Sequence, residues 1–218
     1  MKTLVNKVNK WTRLVVGITA GVLASFASPV FAKSIELHYM AYMGTAEAGE
    51  IRLSIDVTGA EYVVQGEAAS LGLMELIKAL RARFTAKGTV SAGRPRPESY
   101  EYHHRDNSKE RLVTVANGEV TYRKNGEQRP NETVQPGIDL VSALWMSPPC
   151  SDLGNVQTGR SLYVFSLTEG SGDQCTFRVV RDDETFDVAI RYGNRGGLRV
   201  PVSLSSTGFF AGEVLLIE

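Results

Sequence analysis

The chain has 218 residues, with 24 basic and 24 acidic side chains, two cysteines and 43% hydrophobic residues. A neutral chain without basic runs offers little attraction to phosphate backbones, which argues against a nucleic-acid partner. It contains no Pro/Ser linker, low-complexity tract or repeat, so its length is that of one domain with a sizeable core.

The chain begins with Lys2, Lys7, Lys10 and Arg13 unaccompanied by any acid, then an apolar stretch from Leu14 to Phe26, then Pro29-Val30-Phe31-Ala32. This is the order of a secretory signal peptide, with Val30 and Ala32 at the positions read by the peptidase. A transmembrane anchor needs about 20 apolar residues, and this run holds roughly a dozen. Residues 1–32 are therefore expected to be a cleaved signal and residues 33–218 a single β-rich domain that does not span the membrane. Removing the signal leaves 20 basic against 24 acidic residues, a net charge of −4.

In an exported chain two cysteines are expected to pair, so Cys150 and Cys175 are read as a disulfide. They lack a C-x-x-C spacing and a nearby histidine, which argues against a redox or metal site.

Ile35, Leu37, Tyr39 and Ala41 alternate with Glu36, His38, Met40 and Tyr42, the period of a half-buried strand, and Gly44 to Gly49 is expected to turn the chain. Ile51, Leu53, Ile55 and Val57 repeat the alternation, and Gly59-Ala60 leads into a strand over Glu61 to Ala68. Leu73, Ile77, Leu80 and Phe84 recur at helical spacing after Ser70, a possible cap, which predicts a short helix near Gly72 to Arg81. A strand from Phe84 to Ser91 should then run into a loop over Gly93-Arg94-Pro95-Arg96-Pro97.

Tyr100 to Asp106, Arg111 to Ala116 and Glu119 to Arg123 read as strands, the last two joined at the hairpin signal Asn117-Gly118. Gln128 to Gly137 reads as a long loop, and Asp139 as the cap of a short helix through Met146, ended by Pro148-Pro149. Five more strands are expected at Ser161 to Leu167, Cys175 to Arg181, Thr185 to Tyr192, Arg199 to Ser205 and Phe209 to Ile217. The fold class is all-β: an antiparallel barrel-like or spiralling sheet with two short helices, because so many strands must hide their edges.

Gly93 to Tyr100, the Asp139-Leu140-Val141-Ser142-Ala143-Leu144 segment and the closing Val200-Pro201-Val202-Ser203-Leu204 with Thr207-Gly208 resemble an exported proteobacterial family catalogued as domain of unknown function 3108. The stretch between Cys150 and Phe165 departs from the family's commoner pattern, which is more basic there. The resemblance implies a periplasmic, all-β, barrel-like module tied to the cell envelope, and it brings no catalytic residue.

Several residues tempt a chemical reading. His103 and His104 are adjacent on an expected strand and so point to opposite faces; they cannot chelate one ion together. The expected arrangement packs Tyr100, Tyr102 and His104 on one face and leaves Glu101, His103 and Arg105 in water. Ser171 in Gly-Ser-Gly lacks a nucleophile-elbow pattern, and Asp182, Asp183, Glu184 and Asp187 miss the spacing of a calcium loop. The Asn131-Glu132-Thr133 sequon has the glycosylation form but carries little meaning in a bacterial protein.

Neither a cofactor nor a metal is expected. The function expected is non-enzymatic: a periplasmic protein that supports the cell envelope by binding a partner or an apolar ligand. Two alternatives stand beside it, a lipid carrier or sensor with a cavity beneath the Leu71 to Leu80 helix, and an envelope hydrolase using His103 or His104 with a carboxylate. The candidate ligand-binding residues are Leu73, Ile77 and Leu80 of that helix, Arg94 and Arg96 of the proline-rich loop, and Tyr100 and Tyr102.

Overall fold

The alternating segments do become strands, and they join into one sheet. The structure is a computed structural model that describes residues 32–129, 137–158, 161–208 and 211–218. The signal region before Ala32, the sequon at 131–133, most of the loop before Gly137 and the start of the last expected strand at Phe209 lie outside the described residues.

The first arm is a meander: β1 (Ala32–Met43), β2 (Ala46–Thr58), β3 (Glu61–Ser70), β4 (Arg81–Ser91), β5 (Arg94–Arg105), β6 (Glu110–Ala116), β7 (Glu119–Lys124) and β8 (Glu127–Arg129). Helix α1 (Gly72–Ile77) interrupts it between β3 and β4. The short β9 (Ile138–Asp139) and helix α2 (Leu140–Trp145) then lead into a second arm: β10 (Gly154–Thr158), β11 (Ser161–Ser171), β12 (Gln174–Arg181), β13 (Glu184–Arg195), β14 (Leu198–Ser206) and β15 (Gly212–Leu216).

These form a 15-stranded sheet in the order β8-β7-β6-β5-β4-β3-β2-β1-β15-β14-β13-β12-β11-β10-β9. The first and last strands thus meet at its centre, with Tyr39 opposite Leu216 and Ala41 opposite Val214. Among the described residues only β9 and β10 run parallel, and every other pair is antiparallel.

The sheet is not closed into a barrel. Its terminal strands β8 and β9 do not pair with each other, and β9 instead lies against β5. Bulges between Ala41 and Tyr42, Lys87 and Gly88, Leu167 and Glu169, and Arg191 and Tyr192 add local bend and twist to the sheet. At Gly88 a Cβ would sit 2.7 Å from the Tyr62 hydroxyl and 2.9 Å from Pro97 Cα, so a side chain there would push β4 away from β5.

Both arms turn their apolar faces onto one core. Leu37, Tyr39, Leu53, Ile55, Tyr62 and Val64 from one arm join Phe165, Phe177, Val179, Ile190, Tyr192 and Val200 from the other. Helix α2 fills the space between them, with Val141, Ser142, Ala143, Leu144 and Trp145 all buried. A smaller cluster, Val113, Val120 and Tyr122, holds β6 and β7 together beside Tyr102 and Val115.

Four local expectations are corrected. Arg94 to Pro97 is strand rather than loop: Pro95 pairs with Val90 and Pro97 with Gly88, after a two-residue turn in which Ala92 and Gly93 have φ of 52° and 74°. The prolines are tolerated because β6 pairs with β5 only from Ser99 onward, so the other side of Arg94 to Glu98 has no ladder that needs an N–H. The turn expected over Gly44 to Gly49 is only Gly44-Thr45, and β2 starts at Ala46. The helix expected through Arg81 stops at Ile77, and Leu80 and Phe84 leave it, Phe84 pairing in β4 with Tyr102. Strands β8, β9 and β10 are additional to the expected set.

Candidate functional site

Helix α2 forms because Asp139 caps it. Its Oδ1 accepts from Ser142 N at 2.7 Å, and the Met146 N–H closes on Ser142 O at 3.0 Å. The helix is locked to the first arm by two polar contacts in an otherwise apolar interior: Tyr62 and Ser142 hydroxyls 2.7 Å apart, and Trp145 Nε1 donating to the Tyr39 hydroxyl at 3.0 Å. Tyr39 donates onward to Pro201 O at 2.9 Å, which carries the chain across to β14. Burial pushes the Tyr39 phenol well above its ordinary value and that of Tyr62 up to about 12, so both remain neutral hydrogen-bond donors. The disulfide Cys150–Cys175 then ties the loop that leaves α2 to β12.

The α1 helix is held differently. Its N-cap, Leu71, supplies no side-chain bond, and Ser70 does not cap it. Ser70 Oγ instead donates to Lys78 O and accepts from Leu80 N, each at 2.9 Å, clamping the two ends of the loop that carries the helix. None of its residues is buried, and Leu73, Leu76 and Ile77 are 69%, 81% and 67% exposed.

Between the two helices, at the end of the sheet where β1 stops and β15 starts, lies an apolar cleft of about 580 Å³. Leu140 and Leu144, one helical turn apart on α2, form part of its wall with Phe165 of β11. Leu204 and Val214, directly opposed across β14 and β15, line it as well. Met74 of α1 and Ala48 of β2 complete the side toward the first arm, and Ser205, Ser206 and Glu213 supply its polar groups.

The expected ligand residues are not gathered into one place. Leu73 and Ile77 face solvent on α1, and Leu80 is half-buried in the loop behind it. Arg94 and Arg96 are exposed at the opposite end of the β4–β5 ladder, where Arg94 pairs with Ser91, whereas Arg105 pairs with Arg81 beside α1. Tyr100 and Tyr102 point inward and stack with ring centroids 6.5 Å apart. Tyr100 also lines a second cleft, of about 410 Å³, between β5 and β10, where Asp139 stands with its Oδ2 lacking a hydrogen-bond partner. Desolvation raises the affinity of that carboxyl for its proton.

The histidines separate as alternation requires. His103 is on the outer face, 2.7 Å from Glu110, while His104 is buried, with Nδ1 3.1 Å from the Tyr102 hydroxyl and Nε2 3.4 Å from Asp106 Oδ2. Burial lowers the His104 pKa. Asp106 is held well below the usual carboxylate range, first by the Ser108 backbone N–H, and also by His104 and Lys109 N. The cluster fixes the β5–β6 turn. In the acidic segment, Arg181 reaches Asp182 and Glu184 and Arg178 reaches Asp187, so three of the four carboxylates are answered by arginine. Among the described residues no group of three His, Cys, Asp or Glu side chains is placed to hold a metal ion.

The cleft residues Leu140, Leu144, Phe165, Leu204 and Val214 were not singled out by the sequence. The available signal was the i, i+4 leucine pair after the Asp139 cap, but the strands that face it are distant in the chain.

A family model described as "Protein of unknown function (DUF3108)" matches residues 37–215. Neither a curated protein nor a solved structure matches the chain.

Proposed function

The chain belongs to the DUF3108 family, and for this member we propose an exported binding protein of the bacterial cell envelope that holds one acyl chain in the cleft between α1 and α2. The carrying observation is that cleft: about 580 Å³, walled by Leu140, Leu144, Phe165, Leu204 and Val214, with polar groups from Ser205, Ser206 and Glu213. Pockets of roughly 300–1,000 Å³ with mainly apolar walls and a few polar groups suit small amphipathic ligands. The apolar chain enters, and the ligand's polar head stays with the serines. This favours ligand binding over a purely partner-binding scaffold, because the apolar side chains line a cleft rather than a flat face.

Fluorescence titration of the purified protein with an anthroyloxy-labelled fatty acid tests the reading. Saturable one-to-one binding is expected, with Leu204→Arg or Val214→Arg weakening it at least about tenfold, since a charge in an apolar wall must be desolvated. Leu204→Met should bind as the parent does. Absence of saturable binding by the parent, with its circular dichroism that of a folded sheet, overturns the reading. Export is tested separately: N-terminal sequencing of protein from the periplasmic fraction should begin at Lys33, and an intact Met1 would contradict cleavage.

A further inference from the structure

The outer side of α1 is unusual for a surface that faces only water. Leu73, Leu76 and Ile77 all stand mostly exposed on six residues of helix. Met74 alone turns the other way, into the cleft wall. The apolar outside of α1 and the apolar inside of the cleft are therefore separated by one helix.

The flank of this helix is basic. Lys78 closes α1, and Arg81 begins β4 directly opposite Arg105 of β5. Two like charges opposed across a ladder repel each other unless an anion is shared between them. Glu75 answers Arg81 at 3.5 Å, and Asp106 answers Lys78 at 3.9 Å, but among the described residues Arg105 has no ion-pair partner. The neighbouring arginines are already matched, Arg83 by Glu67 and Arg52 by Glu50. The end of the β4–β5 ladder beside α1 thus keeps an unanswered positive charge, in a polar pocket separate from the cleft and shared with Arg81, Arg83 and Arg52, although the chain from Lys33 on is acidic.

We propose that α1 docks the protein on an anionic phospholipid bilayer: Leu73, Leu76 and Ile77 enter the headgroup layer, and Arg105 with Arg81 takes lipid phosphate. Charge complementarity selects a lipid surface over an uncharged apolar protein face, because the phosphate relieves the Arg81–Arg105 opposition. Docking in this pose brings the cleft to the source of its ligand, and in that respect it rests on the acyl-chain reading above.

Co-sedimentation of the exported, purified protein with vesicles of phosphatidylcholine alone, or mixed equally with phosphatidylglycerol, tests the docking. Binding to the mixed vesicles is expected, weakened by salt and by omission of phosphatidylglycerol. The triple variant Leu73→Ser, Leu76→Ser, Ile77→Ser should lose at least about tenfold in vesicle affinity, since each exposed aliphatic group contributes by area. Arg81→Gln with Arg105→Gln should lose the preference for phosphatidylglycerol while keeping residual binding. Neither variant removes a cleft residue, so both should titrate fatty acid in solution as the parent does. Fatty-acid binding without vesicle binding overturns the docking and leaves the cleft reading intact. Vesicle binding without fatty-acid binding does the reverse. A triple variant that sediments as well as the parent also overturns the proposal, and a folded parent that pulls down a protein partner but ignores vesicles does so too.

Discussion

Helices α1 and α2 are each six residues long and each carries several large apolar side chains, yet five of the six α2 residues are buried and none of the α1 residues is. The difference does not lie in hydrophobicity. Helix α2 has an acid at its N-cap, small Ser142 and Ala143 where the arms approach, and partners for its hydroxyl and indole. Helix α1 lacks a side-chain cap and is held by a clamp outside itself. A short apolar helix belongs to a core when its polar atoms are provided for there. Where they are not, its leucines are available for something else.

That contrast can be broken most forcefully at Trp145. Trp145→Ala empties a buried site between the arms and removes the indole N–H that donates to the Tyr39 hydroxyl, so chemical denaturation should show a loss of about 3–5 kcal/mol. A smaller effect is expected on replacing both Cys150 and Cys175 by Ser, which frees the loop after α2 from β12. Chain-entropy reasoning for a closed loop of this length gives roughly 3 kcal/mol, read as a lower unfolding midpoint that the parent reproduces under reductant.

Next comes the cap. Asp139→Ala should unfold about 1 kcal/mol earlier than Asp139→Asn, which retains an oxygen for Ser142 N. The pH dependence sharpens this. The proton affinity of Asp139 is raised on folding, so its contribution is present below the ordinary carboxylate range and fades as pH rises through the raised value. Asp139→Asn should therefore gain on the parent from acid to neutral pH. Asp106 is the opposite case: its pKa is lowered on folding, so its contribution is present above the ordinary range and is lost on acidification. Asp106→Asn should cost stability at neutral pH and little in acid. The smallest effect belongs to α1, where each of Leu73→Ser, Leu76→Ser and Ile77→Ser made singly should change unfolding free energy by no more than about 0.5 kcal/mol, because those side chains leave water little on folding.

Much of the sheet was legible in the sequence because alternation and turn chemistry agree. The faces of Tyr100, Tyr102 and His104 against Glu101, His103 and Arg105, the Asn117-Gly118 hairpin and the Asp139 cap follow from local rules, and the disulfide from there being two cysteines in a chain expected to be exported. The rest depends on distant partners. Strand β10 offers a single large apolar residue, Val156, and β9 has only two residues, held by a parallel pairing with β10. Pro95 and Pro97 looked like loop because their tolerance rests on where β6 ends. The helical spacing of Leu73, Ile77, Leu80 and Phe84 suggested an inward face, but β4 begins before the fourth member is reached. The cleft was hidden for the same reason, since α2, β11, β14 and β15 meet only after both arms have folded over the core.

Hydrogen exchange followed by mass spectrometry, with and without saturating fatty acid, tests the division between the two helices most directly. The free protein should protect α2 amides nearly to the level of global unfolding and exchange α1 amides quickly, and the fatty acid should slow exchange in α1 and in the β14–β15 pair around Leu204 and Val214. Equal protection of both helices without ligand, or exchange in α1 and β14–β15 that fatty acid leaves unchanged, would contradict the account.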